Sequence, residues 1–268
     1  MPDLLYEVRE GVAYVTFNRP EVHNAWNPEV MVRLAEAWQA VNDDDSVRVA
    51  IVTGAGDKAF SVGADLARLI PLLTRARQPE DEWDQRALSD RSLTKYALMR
   101  GFPMYKPVIA AVNGFCLAGG SELLQATDIR IAADHATFGL SEAKRGLVPA
   151  GGSMVRLARQ VPYCKAMEIL LTGDRIPAEE AHRIGFVNYV VPAADVMPMA
   201  EQFARTLADN GPIAVRKIKE AVIRTSGVPL DEAYKIEMEC SRDVMSSQDA
   251  IEGPRAFMEK RKPQFTGR

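Results

Sequence analysis

The sequence predicts an α/β core followed by a wholly helical C-terminal region. Three observations carry this expectation. Short apolar β-type runs, clearest at residues 48–53 and 108–112, alternate with segments of helical spacing as far as residue 191. No β-type run follows residue 191. Four helical stretches then occupy residues 196–260, separated by Asn210-Gly211, Ser226-Gly227 and Ser246-Ser247. In a chain of 268 residues, the expected division is residues 1–195 for the core and 196–268 for the helical region.

Taken in order, residues 4–9 and 12–17 alternate apolar and polar around Glu10-Gly11 and read as a β-hairpin. Pro28 opens a helix to about residue 41, with Val30, Met31, Leu34, Ala37 and Trp38 at helical spacing. Residues 48–53 form a buried strand. Gly54 to Ala59 then has the outline of a dinucleotide-binding G-x-G-x-x-A. A true fingerprint opens a helix directly. Here residues 60–63 read as extended chain and a turn, and the helix is expected only from Ala64-Asp65-Leu66. The useful glycine is therefore Gly63, and the amide on offer is that of Ala64. Pro71 is expected to end that helix near residue 70. Residues 75–82 read as a polar loop and residues 89–99 as a helix. The whole stretch 67–91 is the least patterned part of the chain, as segments that cover a site often are. Later helices are expected at 150–159, 162–171 and 178–183, a brief extended piece at 137–139, and strands at 128–133 and 186–191. In the C-terminal region, Gly253-Pro254 is expected to break the last helix in two.

Composition narrows the function. The chain is 47% apolar and 26% charged, which is globular composition. Its formal net charge of −3 offers nucleic acid or an anionic membrane no electrostatic attraction. No apolar run reaches the roughly 18 residues of a membrane helix, and the N-terminus has no signal-peptide pattern, so a cytoplasmic protein is expected. Cys116, Cys164 and Cys240 are widely spaced and read as core-packed thiols. His23, His135 and His182 are isolated, and no His, Cys and acidic residues share a metal-ligand spacing. A G-x-S-x-G elbow and a Walker loop are absent.

The chemistry concentrates in Lys106 to Glu122, KPVIAAVNGFCLAGGSE. A strand and an Asn113-Gly114 turn lead to Gly119-Gly120, and Ser121-Glu122 is expected to open a helix. Glycine lets a ligand approach the backbone. The first amides of a helix lack intrahelical partners and can face an oxygen that gains negative charge. Glu122 lies three residues beyond Gly119, and Glu142 follows 20 residues later, again after a serine. If the intervening chain doubles back, both carboxylates face one cavity, an arrangement suited to proton transfer. A glutamate at a helix start is equally read as a cap or dipole partner, so spacing alone leaves both readings open.

The combination resembles the crotonase superfamily, the enoyl-CoA hydratase/isomerase family. The resemblance spans almost the whole chain. It rests on Asn18-Arg19-Pro20 with Asn24-Ala25, on Phe60 to Leu66, on Lys106-Pro107 through Glu122, and on Ser141-Glu142. It continues in Gly146 to Pro149 with Gly151-Gly152, in Leu171-Thr172-Gly173, and in Phe257 to Pro263. It implies a crotonase-like spiral of ββα units with a helical C-terminal oligomerisation region, assembled as a homotrimer or dimer of trimers. It implies an oxyanion hole from the Ala64 and Gly119 amides, and Glu122 and Glu142 as the catalytic pair. The first glutamate would activate water for the β-carbon, and the second would supply a proton to the α-carbon. The CoA moiety would run along Ala25, Ala64, Asp65, Leu66 and Gly119, and meet Phe257 and Lys260 of a neighbouring copy. No metal or redox cofactor is implied. The lysine that the family often carries after Ala-Asp is replaced by Leu66-Ala67, so a phosphate contact is missing or moved to Arg68. Ala-Gly-Gly-Ser-Glu stands where a triple glycine is more usual.

The resemblance thus points to a 2-enoyl-CoA hydratase of fatty-acid metabolism. A Δ3,Δ2-enoyl-CoA isomerase needs only one carboxylate, and a dehydratase of an unusual acyl-CoA would use the same two. An RNA-binding protein with this fold is opposed by the charge and by the lack of a basic–aromatic patch. The acyl group itself is not legible from these motifs.

Overall fold

A computed structural model describes residues 1–90 and 92–268. The chain begins with β1 (Leu4–Arg9) and β2 (Val12–Phe17), the antiparallel hairpin expected from their alternation. Next comes α1 (Pro28–Asp43), whose start is set by Pro28 and by the Asn27 side chain accepting the Val30 amide at 2.9 Å. Its fully buried Trp38 donates from Nε1 to the Ala97 carbonyl at 3.1 Å.

The strands then alternate between two sheets. β3 (Val49–Gly54), β5 (Val108–Val112), β7 (Ile129–Ala133) and β10 (Tyr189–Val191) extend the hairpin into a six-stranded sheet ordered β1-β2-β3-β5-β7-β10. All pairs beyond the hairpin are parallel. β4 (Ala59–Ser61), β6 (Phe115–Leu117), β8 (Thr137–Gly139) and β9 (Ile176–Pro177) form a smaller sheet in that order. Each crossing is a tight turn: β3 to β4, β5 to β6, β7 to β8. The result is a spiral in which each turn adds one strand to each sheet. All five residues of β5 are buried, as expected for a central parallel strand.

Side-chain amides hold the crossings. Asn113 Nδ2 donates to the carbonyls of Gly54 and Gly56, each at 2.8 Å, and Asn24 Nδ2 donates to those of Ala55 and Ala59 at 3.0 and 2.7 Å. Gly114 is required by contact: a Cβ there would stand 2.1 Å from the Lys58 carbonyl oxygen. Gly54 to Ala59 is such a crossing and leads into β4, with no helix, so the dinucleotide outline has no structural counterpart. Lys106 is buried and donates to the carbonyls of Val41 and Asp44 at 2.8 and 2.6 Å, satisfying the C-terminal end of α1.

Several expectations are corrected. α2 (Leu69–Leu73) starts later than expected and runs through Pro71. Pro71 is its third residue, where the missing amide would have had no intrahelical partner. The unpatterned stretch 67–91 contains α3 (Glu82–Ser89), which starts at the last residue of the expected 75–82 loop and is capped by Asp81 accepting the Asp84 amide at 2.8 Å. Within the expected helix 89–99 the structure has α4 (Ser92–Ala97); residue 91 of that span lies outside the described residues. Buried Asp84 accepts a forked pair from Arg77, an order that the polar composition of residues 75–84 hid.

After α5 (Gly119–Leu124), α6 (Ser153–Gln160), α7 (Tyr163–Thr172) and α8 (Ala178–Arg183), the last strand is shorter than expected, at Tyr189–Val191. Cys164 is exposed on α7, whereas Cys116 and Cys240 are buried as expected. α9 (Val196–Asp209) lies against β3, β5 and β7. α10 (Pro212–Thr225), α11 (Leu230–Met245) and α12 (Gln248–Met258) follow. α12 is one helix through Pro254. The preceding Gly253 has no Cβ to oppose the proline ring, Ala256 is fully buried, and Glu252 is tied to Arg255 and Arg261. α10 buries only Pro212 and α11 only Cys240, leaving Ile218, Val222, Tyr234 and Met238 exposed. Among the described residues, no helix is long and apolar enough to cross a membrane.

The two kinds of glycine constraint separate experimentally. Gly114→Ala is expected to cost about 3 kcal/mol or more, through backbone displacement at the crossing. Gly146→Ala meets open space at φ +68° and is expected to lose only about 1 kcal/mol. Chemical denaturation measures both, and equal losses would show that the crossing yields.

Candidate active site

The site is built where the first two crossings meet. Ser61 Oγ donates to the Asn24 carbonyl at 2.8 Å and accepts the Gly63 amide at 3.0 Å, bending the chain at the end of β4. Gly63 adopts φ +81°. A Cβ on it would stand 2.4 Å from the Gly119 nitrogen and 2.9 Å from Ala118 Cβ, so the two backbones touch and only glycine fits. Trp26 donates its amide to the Gly63 carbonyl at 2.8 Å and accepts from the Asp65 amide at 2.9 Å. This bridge brackets Ala64, whose own amide has no acceptor among the described residues.

On the other side, β6 ends at Leu117 and is followed by Ala118, held at φ +47° and ψ −125°. That conformation is costly for a residue with a Cβ. It turns the chain so that α5 starts at Gly119, two residues earlier than expected, with the Gly119 amide as the first of the helix and without a partner inside it. The Ala64 and Gly119 amides thus come from loops in direct contact.

Glu122 lies in the first turn of α5, buried, with its amide bonded to the Ala118 carbonyl at 2.9 Å. Its Oε1 accepts the Ser153 amide at 3.3 Å. Gly151 packs against the other oxygen so closely that a Cβ there would be 2.5 Å from Oε2. Glu142 sits at the end of β8's extension, and its Oε2 is buried without a hydrogen-bond partner. Both carboxyl groups face one cavity of about 670 Å³. Burial pushes the Glu122 carboxyl up to about 7, helped by the charge of Glu142 and opposed by hydrogen bonds from Ser153 and Gly151. Burial also raises Glu142, against hydrogen bonding to its own backbone and the charge of Arg145.

Ala25, Ala64, Asp65, Leu66 and Gly119 line the same cavity. Asp65 has a local task as well. It accepts from Arg19 at 3.0 Å and from the amides of Ala67 and Arg68 at 2.9 and 3.1 Å. Burial pushes its carboxyl up, but these bonds outweigh it and hold the group below the usual carboxylate range. Arg68 is paired with Glu80 at 2.9 Å and Asp81 at 3.2 Å. Phe257 and Lys260 lie at the far end of α12, both exposed and outside this cavity within one chain. None of the three histidines lines it.

Sequence reasoning missed other parts of the cavity: Trp26, Leu98, the strained Ala118, and the Gly151 to Ser153 turn that supports Glu122. The Ala-Gly-Gly-Ser pattern signalled a helix start but not what that start faces. Two arginines staple this wall. Arg156 donates to the carbonyls of Leu98 and Met99 at 3.0 and 2.7 Å, and Arg100 donates to that of Ala150. Among the described residues, no group of three His, Cys, Asp or Glu side chains could hold a metal ion.

The displaced acidity of Glu122 has a stability consequence. Its folded value, about 7, lies above the ordinary 4.5, so ionisation opposes folding as pH rises between them. Glu122→Gln is expected to equal the wild type in stability below pH 4.5 and to exceed it by about 3 kcal/mol above pH 7. Denaturant titrations across this range measure the difference, and a pH-independent one would contradict the assigned burial.

The chain resembles known proteins along its length. The family model described as enoyl-CoA hydratase/isomerase matches residues 7–268. An enoyl-CoA hydratase, EchA19, of Mycobacterium tuberculosis is 42% identical, over 100% of this chain and 97% of its own length. A carnitinyl-CoA dehydratase of Escherichia coli K12 is 38% identical over 100% of both. Among solved structures, an enoyl-CoA hydratase from Bacillus anthracis superposes with a TM-score of 0.89 at 35% identity, covering 99% of this chain and 100% of its own. One from M. tuberculosis H37Rv gives 0.88 at 38% identity, over 100% of both. The spiral is therefore the crotonase fold, and this chain belongs to the enoyl-CoA hydratase/isomerase family.

Proposed function

We propose that the chain catalyses reversible addition of water to a 2-enoyl-CoA thioester. One observation carries the reading: two unpartnered amides on touching loops and two buried carboxyl groups share a single cavity. The thioester oxygen would accept from the Ala64 and Gly119 amides. Glu122 takes a proton from water as its oxygen bonds to the β-carbon. The π pair moves towards the α-carbon and the thioester oxygen, where the two amide bonds strengthen. Glu142 gives its proton to the α-carbon, breaking its own O–H bond. The reverse sequence expels water. A base that titrates near neutrality and a second raised carboxyl group are suited to these exchanges. No step calls for a metal or redox group.

Two carboxyl groups favour hydration over isomerisation, which needs one. The same pair would serve a dehydratase of a substituted acyl-CoA, and the cavity wall bears on that choice. Met31, Leu69, Leu73, Ala97 and Leu98 make it apolar, and Arg100, Arg145 and Arg175 are its cations. Beyond Asp65, Glu122 and Glu142, no carboxylate lines it among the described residues. A hydrocarbon tail suits this wall better than a trimethylammonium group. The reading also takes the chain to assemble as a trimer or dimer of trimers through the apolar side chains on α10 to α12, with Phe257 and Lys260 reaching a neighbour's CoA.

With crotonyl-CoA, loss of the conjugated thioester's ultraviolet absorbance is expected for the wild type. Glu122→Gln and Glu142→Gln should each reduce kcat about 10²–10⁴-fold. Undiminished turnover in both would remove the assigned roles. Across acyl groups, unsubstituted enoyl-CoAs are expected to exceed a trimethylammonium-bearing one by about tenfold or more in kcat/KM, since beyond Asp65 and the two glutamates the described lining offers that cation arginines and no further carboxylate. The opposite ranking would favour the dehydratase.

A further inference from the structure

Ser153, the first residue of α6, is fully buried, and its amide already serves Glu122. Its hydroxyl oxygen accepts from Gln125 Nε2 at 2.7 Å. The orientation of Gln125 is fixed, because the same Nε2 donates to the Ser121 carbonyl at 3.0 Å, and a carbonyl can only accept. Behind it, the main-chain carbonyl of Gln125 accepts from Gln160 Nε2 at 2.8 Å, which anchors the residue without touching its side-chain amide. Gln160 is oriented in turn by buried Arg130, which donates to Gln160 Oε1 at 3.0 Å. These bonds fix the backbone and side chain of Gln125 behind Ser153. The Ser153 oxygen accepts on the Gln125 side, so its hydrogen is left for another acceptor, and the Ser153 amide already places the Glu122 carboxylate beside the same residue.

We propose that Ser153 is a positioning residue for Glu122: its hydroxyl, held in place by Gln125, donates to the carboxylate and keeps it aimed at water. This rests on the reading of Glu122 as the base. Hydrogen bonds to a charged acceptor are stronger than neutral ones. The hydroxyl and amide of Ser153 both act to lower the pKa that burial raises. The other charged groups facing Glu122 are Glu142, across the cavity, and Arg156, one turn further along α6, with Arg100 beside Arg156 and Arg145 beside Glu142. None of them belongs to the Arg130–Gln160–Gln125 chain, so removing the Ser153 hydroxyl leaves their charges in place.

The test titrates the Glu122 carboxyl by ¹³C NMR in the whole protein, identified by its absence from Glu122→Gln, alongside the pH dependence of kcat/KM on crotonyl-CoA. Ser153→Ala is expected to move the Glu122 titration and the acid limb of the profile together, to higher pH by about one unit or more. It should lower kcat while leaving KM near the wild-type value. Ser153→Thr, which keeps a hydroxyl, should return the titration towards that of the wild type. Gln125→Met, which keeps the volume but not the donor, should shift it in the same direction as Ser153→Ala and by less. An unmoved titration in Ser153→Ala would overturn the proposal whatever the activity. A wild type without hydratase activity whose carboxyl still shifts in Ser153→Ala would overturn the assigned reaction and leave the hydrogen bond standing.

Discussion

The backbone contact between Gly63 and the Ala118–Gly119 turn is the constraint on which the site depends. It joins segments 56 residues apart, 119 less 63. Each comes off a strand of the smaller sheet, and β4 and β6 are direct neighbours there. The spiral therefore places the two loops at one end of adjacent parallel strands. The absence of a side chain at residue 63 lets them close to contact. Amides fixed in this way need no reorganisation when an oxygen between them gains charge, which is where such donors are worth most.

The carboxyl groups are the costly part of this design. Burial in one apolar cavity raises the affinity of both acids for a proton, and for Glu122 the charge of Glu142 adds to the effect. The chain limits the cost unequally. Glu122 has amide donors from the start of α6, while one oxygen of Glu142 is left without a partner. An unsatisfied buried oxygen costs stability. Asp65 behaves otherwise: three donors satisfy it, and it serves to pin the loop that presents Ala64.

Much of the fold was legible because its signals are local. The hairpin, the Pro28 helix start, the buried strands and the four C-terminal helices all follow from periodicity and from Gly and Pro placement. Errors arose where tertiary contact outvoted a local rule. Pro71 and Pro254 were read as breaks, but one falls in a first turn and the other follows a glycine in an anchored helix. α3 was hidden because its cap and its buried ion pair are made by residues that look like solvated loop. At the site, Gly63, Gly119 and both glutamates could be named from spacing and resemblance. The support from Gly151 and Ser153 could not, since a serine after two glycines does not say which carboxylate will lie against it.

The arginine staples have a mechanical meaning. Arg156 grips the carbonyls on either side of the Leu98–Met99 bond, and Arg100 grips the loop that leads back to Ser153. The Leu98 wall of the cavity and the turn that supports Glu122 are thus pinned to one another. Under the proposed function, an acyl tail that displaced Leu98 would shift that turn with it, and poor steric fit at the remote end of a substrate would be felt as slower turnover and not only as weaker capture.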